Sequence, residues 1–330
     1  MRLLVTGATG FIGSRLVAMA RDAAFEVVAT GAINSPVERD RCAALARAGI
    51  EVTIGSLVAD DLAARVTPRC DAVIHLAAAQ HEAHLDDEHF RRVNVDGTRL
   101  LLQAAAASGV RRFVYGSTIG IYGGTTSTAS LDETSPPNPG NVYTRTKLQA
   151  EDLVRGSAGL LEPTIMRIAE TYGPGDLRLL KLYRAIKRGR FLMIGSGRNH
   201  HALVHCDDVA RGLLLGVTTP QAAGETFVLA AGDDLTTRAM VDAVAAAVGR
   251  TVPRLALPFW PFLLAAHAGD GLLQPLGLNS PLHRRSLDFF DKSFAFSIEK
   301  ATRLMGYIPK LRFVESAQAT ARWYESQGLI

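Results

Sequence analysis

The chain has 330 residues, 48% hydrophobic and 21% charged, with 30 Gly, 14 Pro and a formal net charge of +4. That length holds one large or two joined cores, and the composition argues against collagen, coiled coil and disorder. Three scattered cysteines (Cys42, Cys70, Cys206) without a CxxC pair argue against a disulfide framework or a cysteine-rich zinc site and fit a reducing cytoplasm. Arginines and lysines are mixed with acids rather than blocked, so no nucleic-acid partner is expected.

In chain order, short apolar runs at 3–6, 27–30, 52–54, 72–76, 113–115 and 164–168 alternate with stretches of helical spacing. Runs apolar on both faces are parallel strands covered on both sides. The pattern predicts an α/β fold: a Rossmann-type doubly wound sheet over residues 1–170, then a smaller, mostly helical substrate lobe over 171–330. The start, MRLLVTGATG, lacks a secretory h-region, so a cytoplasmic location is expected. The apolar stretch 255–278 is interrupted by Pro258, Pro261, His267, Asp270 and Pro275, which reads as an amphipathic lid without stable membrane insertion.

Thr6-Gly7-Ala8-Thr9-Gly10-Phe11-Ile12-Gly13 directly follows the first strand and opens a helix. Gly7 permits the sharp turn, Gly10 the close approach of a diphosphate and Gly13 close helix–strand packing, with helix-start amides holding the anion. The second strand ends in Gly31-Ala32 rather than an acid, and Arg39 or Arg41 stands near enough for a 2′-phosphate, so the expected cofactor is NAD or NADP with NADP slightly favoured. Ser56 follows the third strand, where an adenine contact is expected. Tyr143 and Lys147, four positions apart, share one helix face, and an ammonium beside a phenol is expected to lower its pKa. Thr118, at the end of the fifth strand, is placed to hydrogen-bond the same substrate oxygen.

These motifs, with His75-Leu76-Ala77-Ala78, Asn94 and Ser117/Thr118, resemble the extended short-chain dehydrogenase/reductase family, also described as the NAD-dependent epimerase/dehydratase group, over nearly the whole chain. The resemblance implies Tyr143 as proton-exchanging residue, Thr118 as orienting hydroxyl (Ser117 less so) and Lys147 on the nicotinamide ribose. Gly7, Gly10, Phe11, Ile12, Gly13, Ser56, Leu76, Ala77, Ala78, Ser117, Tyr143 and Lys147 would contact cofactor, with Asn94 as a structural tie. It also implies a homodimer through helices at 88–107 and 143–154. Ile119-Gly120 replaces the dehydratase Asp-Glu pair, and Glu170 stands where epimerases carry Asn. The implied activity is hydride transfer at a secondary alcohol or ketone carbon, foremost of a nucleotide sugar; the alternatives are a hydroxysteroid-dehydrogenase-like enzyme on an apolar alcohol or a non-catalytic NAD(P) sensor. His200, His201, His205, Cys206, Asp207 and Asp208 match no metal-ligand spacing, so no metal is expected; the resemblance places them at a helix start, with an Asp as cap.

Overall fold

The computed structural model describes residues 1–59, 61–80, 86–124, 129–233, 235–264, 266 and 284–330. The predicted alternation forms β1 (Arg2–Thr6), α1 (Phe11–Asp22), β2 (Glu26–Gly31), α2 (Pro36–Arg47), β3 (Val52–Ile54), α3 (Leu62–Val66) and β4 (Ala72–His75). Then α4 (Asp87–Arg91) runs through a π turn, Arg92–Asp96, into α5 (Gly97–Ala107), followed by β5 (Arg112–Thr118), α6 (Val142–Gly156) and β6 (Glu162–Ile168). After these come β7 (Glu170–Tyr172), α7 (Leu180–Lys187), β8 (Met193–Ile194), β9 (Leu203–His205), α8 (Cys206–Thr218), β10 (Thr226–Leu229), α9 (Thr237–Ala247) and β11 (Ala256–Leu257). Later in the chain come helices Arg284–Asp291, Glu299–Met305 and Phe313–Ser326.

The main sheet has seven parallel strands in the order β10-β6-β5-β4-β1-β2-β3, so winding reverses between β1 and β4, the point at whose carboxyl edge sheets of this kind bind their ligands. Register aligns Thr6 with Thr30 on one side and with His75 on the other, so three polar residues close adjacent strands in one row. Every residue of β4, and all of β5 but Thr118, is buried, as strands covered on both faces require. One core joins the sheet to α1 and α8 through Leu16, Val17, Val209 and Leu213, and another joins its opposite face to α3, α5 and α6 through Leu62, Leu101 and Val154.

The expected boundary at residue 170 does not end the sheet. Phe227, Val228 and Leu229 on β10 pair with Met166, Arg167 and Ile168, and α8 packs on α1, so the later half contributes a strand and a helix to the first body. Phe296, Ala301, Met305 and Tyr307 join that same core, while α7, α9 and the last helix build a separate one around Tyr172, Tyr183, Val241, Phe313 and Tyr324. Of the apolar stretch 255–278, Phe259, Phe262 and Leu263 pack near Ile194 and Leu287 while Trp260 and Leu264 are exposed; residues 265 and 267–278 lie outside the described residues. Among the described residues no helix is long and apolar enough to cross a membrane.

Candidate active site

The glycine turn is sterically fixed. Gly7 has φ +70°, and a Cβ there would lie 2.7 Å from the Ala77 backbone N; one on Gly13 would lie 2.0 Å from the Gly7 carbonyl oxygen. As in α3 and α7, no side chain caps α1, which Gly10 opens directly after the glycine turn. Its first-turn amides are thus left to an anion, as a dinucleotide cradle demands.

Below the turn lies a closed polar chain. Leu76 and Ala77 N–H groups donate to Thr6 Oγ1 at 3.2 Å each, so the Thr6 proton goes to His75 Nδ1 at 2.7 Å. His75 Nε2–H then donates to Thr98 Oγ1 at 3.0 Å, and Thr98 donates to the Asn94 carbonyl at 2.6 Å. Burial pushes the His75 imidazole down to about 3, with the Lys147 charge adding to the effect. Asn94, within the π turn, accepts from Ala79 N–H and donates to the Ala79 carbonyl and to Thr146 Oγ1, tying the loop after β4 to α6 as a structural residue.

At the other wall, the Asn141–Thr144 capping box starts α6 and sets Tyr143 in its first turn. The Tyr143 phenol meets the Thr118 hydroxyl and the Gln80 side chain. Burial pushes the phenol up to about 12, opposed first by the charge of Arg178 and then by those two hydrogen bonds. This corrects the expected direction. Lys147 shares the helix face, but its Nζ lies 4.1 Å from the centroid of the buried Tyr115 ring, and burial lowers the amine to about 7, with Glu151 opposing. The cation acting on the phenol is Arg178, which donates to the Thr171 carbonyl at 2.7 Å and is 3.7 Å from Asp176.

Strand alternation separates the two hydroxyls of β5. Thr118 is part-exposed toward Tyr143, whereas Ser117 is buried and donates to Glu151 Oε1 at 2.6 Å, so its side chain is withdrawn from the cofactor role expected of it. Ala77 and Ala78 are part-exposed beside Gly7, and Ser56 is exposed after β3, accepting from Val58 N–H. Phe11 lies under the Arg41 guanidinium, which donates to the Gly175 carbonyl at 2.8 Å and so joins α2 to the segment after β7. Arg39 is exposed. Glu38, in the first turn of α2, accepts from Asn34 N–H and Ser35 Oγ and so sets a carboxylate at the helix start a few residues beyond β2.

Sequence reasoning missed Gln80 and Arg178 as groups acting on the phenol; neither belongs to a local motif. It also expected an Asp to cap α8, but His205 does so, Nδ1 accepting from Asp207 N–H. The ligand atoms of His205, Cys206 and Asp207 fall within 4.8 Å of one another. Arg15 holds the Asp207 carboxylate with two hydrogen bonds, and burial pushes the Cys206 thiol up to about 12, a poor state for metal ligation.

A family model described as the NAD dependent epimerase/dehydratase family matches residues 3–230. The chain is 27% identical to the 4-hydroxy-2-methyl-3-oxo-4-farnesyl-3,4-dihydroquinoline-1-oxide ketoreductase of Stigmatella aurantiaca, covering 97% of this chain and 95% of that one. It is 30% identical to a 3 beta-hydroxysteroid dehydrogenase/Delta 5-->4-isomerase of Mycobacterium tuberculosis, covering 93% and 86%. In fold it resembles MoeE5 solved in complex with UDP-glucuronic acid and NAD, with TM-score 0.75, 23% identity and coverage of 99% and 100%.

Proposed function

The chain belongs to the NAD-dependent epimerase/dehydratase family and is an enzyme of that oxidoreductase and epimerase class, and from this premise we propose that it transfers hydride at a secondary alcohol or ketone carbon. The observation carrying this reading is the meeting of the Tyr143 phenol with the Thr118 hydroxyl at the sheet's carboxyl edge, on β5, two strands from the β1 that runs into the glycine turn. The nicotinamide ring, when bound, supplies the hydride donor or acceptor. Gly7, Gly10, Phe11, Ile12 and Gly13 hold the diphosphate by backbone amides, Ala77 and Ala78 line the channel, and Ser56 stands toward the adenine. Lys147 holds the nicotinamide ribose. Tyr143 exchanges a proton with the substrate oxygen while Thr118 hydrogen-bonds that oxygen, and Arg178 favours the phenolate.

Two substrate classes suit this chemistry, a nucleotide sugar and an apolar alcohol or ketone. Support for the apolar class comes from the lobe's cations other than Arg178: Lys187 pairs with Glu325, Arg184 donates to the Leu329 carbonyl, and Lys181, Arg188 and Arg190 are exposed on or just after α7. Glu170, an acid, stands exposed on β7, unfavourable beside a diphosphate. The ketoreductase and hydroxysteroid relatives agree with that preference. For the cofactor, exposed Arg39 supports NADP and the carboxylate of Glu38 supports NAD. We further propose a cytoplasmic homodimer, supported by the exposed Leu100 on α5.

The test is turnover of NADH and NADPH against a panel of apolar ketones and nucleotide sugars, with mass spectrometry of nucleotide carried by freshly purified protein. Oxidation of reduced cofactor with apolar ketones is expected. Tightly retained NAD together with interconversion of nucleotide sugars would overturn the substrate assignment, and no turnover with either class would overturn the reaction.

A further inference from the structure

Glu151 lies one helical turn beyond Lys147 and two beyond Tyr143, and it is fully buried. Its Oε1 accepts from Ser117 Oγ at 2.6 Å and Arg167 Nε at 3.1 Å; its Oε2 accepts from Arg167 Nη2 at 2.9 Å and from Arg155. Arg167, also buried, donates through Nη1 to the Tyr122 hydroxyl and to the Glu133 carbonyl at 3.0 Å, and Glu133 in turn accepts from Val228 N–H at 2.7 Å. One carboxylate therefore links the helix bearing Tyr143 and Lys147 to the strand bearing Thr118, and through Arg167 to β6 and β10. Burying an ion pair is costly and an apolar pair of equal volume would hold a core at least as well, so this pair calls for a role other than packing.

The groups facing the Lys147 amine suggest that role. Beneath it on β5 is the Tyr115 ring, an uncharged phenol well above its usual value; His75 on β4 feels its charge and is held neutral; Tyr143 on its own helix is a neutral phenol. Glu151 is the negative group that works against burial at this amine. We propose that Glu151, clamped by Arg167 and Ser117, is a positioning residue that locks α6 onto the ends of β5 and β6 and supplies the buried counter-charge of the Lys147 amine. It acts through Lys147 and touches no reacting atom. The assignment rests on the reading of Lys147 as part of the active site, but its test observes the amine itself and needs no substrate.

In protein with isotope-labelled lysine side chains, the Lys147 resonance is assigned by its loss in Lys147→Arg and followed by NMR from acid to alkaline pH. The wild-type midpoint is expected at about 7. Glu151→Gln is expected to lower it by about one unit or more, and Glu151→Asp, which keeps the charge, to return it toward wild type. Because Glu151→Gln leaves Arg167 without its partner and endangers folding, the double variant Glu151→Gln/Arg167→Gln is measured beside it and is expected to show a fall in the same direction but smaller, since a cation is removed with the anion. A Lys147 midpoint unchanged in either folded glutamine variant would overturn the proposal and leave Glu151 a structural residue alone. Loss of turnover in a Lys147 variant tests the parent reading independently of this titration.

Discussion

Under the glycine turn, Thr6, His75, Thr98 and Asn94 pass hydrogen bonds from one to the next inside the sheet, each polar atom answered by a neighbour within the fold. Around Tyr143, by contrast, Thr118 is part-exposed, Gln80 and Arg178 are exposed, and they converge from three separate segments. The first region is over-determined: it keeps its shape without a ligand and tolerates almost no change of volume. The second is assembled loosely enough for its polar groups to exchange a proton with a substrate. The difference separates a rigid holder from a chemical rim.

The harshest way to break the holder is Gly13→Ala. Its Cβ would meet a backbone oxygen at 2.0 Å, so the variant is expected to lose on the order of 4 kcal/mol of stability and all NADH binding. Thermal melting and fluorescence titration check both; a variant as stable and as tightly binding as wild type would show that the turn is looser than its geometry states. Lys147→Met sharpens the contrast from the rim side. The amine is protonated less readily in the fold, at about 7, than in the unfolded chain, so its burial penalises the fold fully below that pH and progressively less as pH rises toward the ordinary lysine value. Replacing it should raise the melting temperature by several degrees at neutral pH while abolishing turnover. A lowered melting temperature would contradict this.

A smaller effect comes from the histidines. His75 at about 3 and His201 at about 4 are both held neutral by burial, His201 against Thr237. The unfolded chain binds protons that the fold refuses, so stability is complete above the usual histidine value and declines as pH falls below it. Each residue should account for about 2 kcal/mol by roughly pH 5. His75→Gln should flatten that decline, measured as melting temperature against pH; an equal slope in variant and wild type would remove the histidine from the account.

The glycine turn was legible in sequence because its determinants are contiguous: an apolar run, three glycines and a helix start lie within Leu3–Gly13, whereas the Thr6–His75–Thr98 chain beneath it joins residues 69 and 23 positions apart. The Tyr143–Lys147 pair was legible for the same reason, one helix turn apart. Their electrostatics were not, since the spacing puts both side chains on one face but says nothing of the Tyr115 ring that draws Lys147 inward, or of Arg178 beside the phenol. Sequence favoured Thr118 over its neighbour Ser117 as the orienting hydroxyl but gave Ser117 a place at the cofactor; the pleat of β5 sends the Ser117 side chain to Glu151 and leaves Thr118 part-exposed. Position β10 escaped the domain boundary because a four-residue strand pairs with β6 across a long detour of chain, and the Glu133–Val228 contact spans 95 positions that no local pattern connects.

The central claim, that this rim performs proton exchange coupled to hydride transfer, is tested most directly by Tyr143→Phe. One preparation of wild type and variant is titrated with NADH and NADPH by fluorescence and assayed for oxidation of the reduced cofactor with the same ketone. The expected result is nucleotide affinity within about threefold of wild type and turnover reduced on the order of a thousandfold, the removed hydroxyl being needed in the chemical step rather than in binding. Turnover that survives the loss of the phenol undiminished would contradict the account.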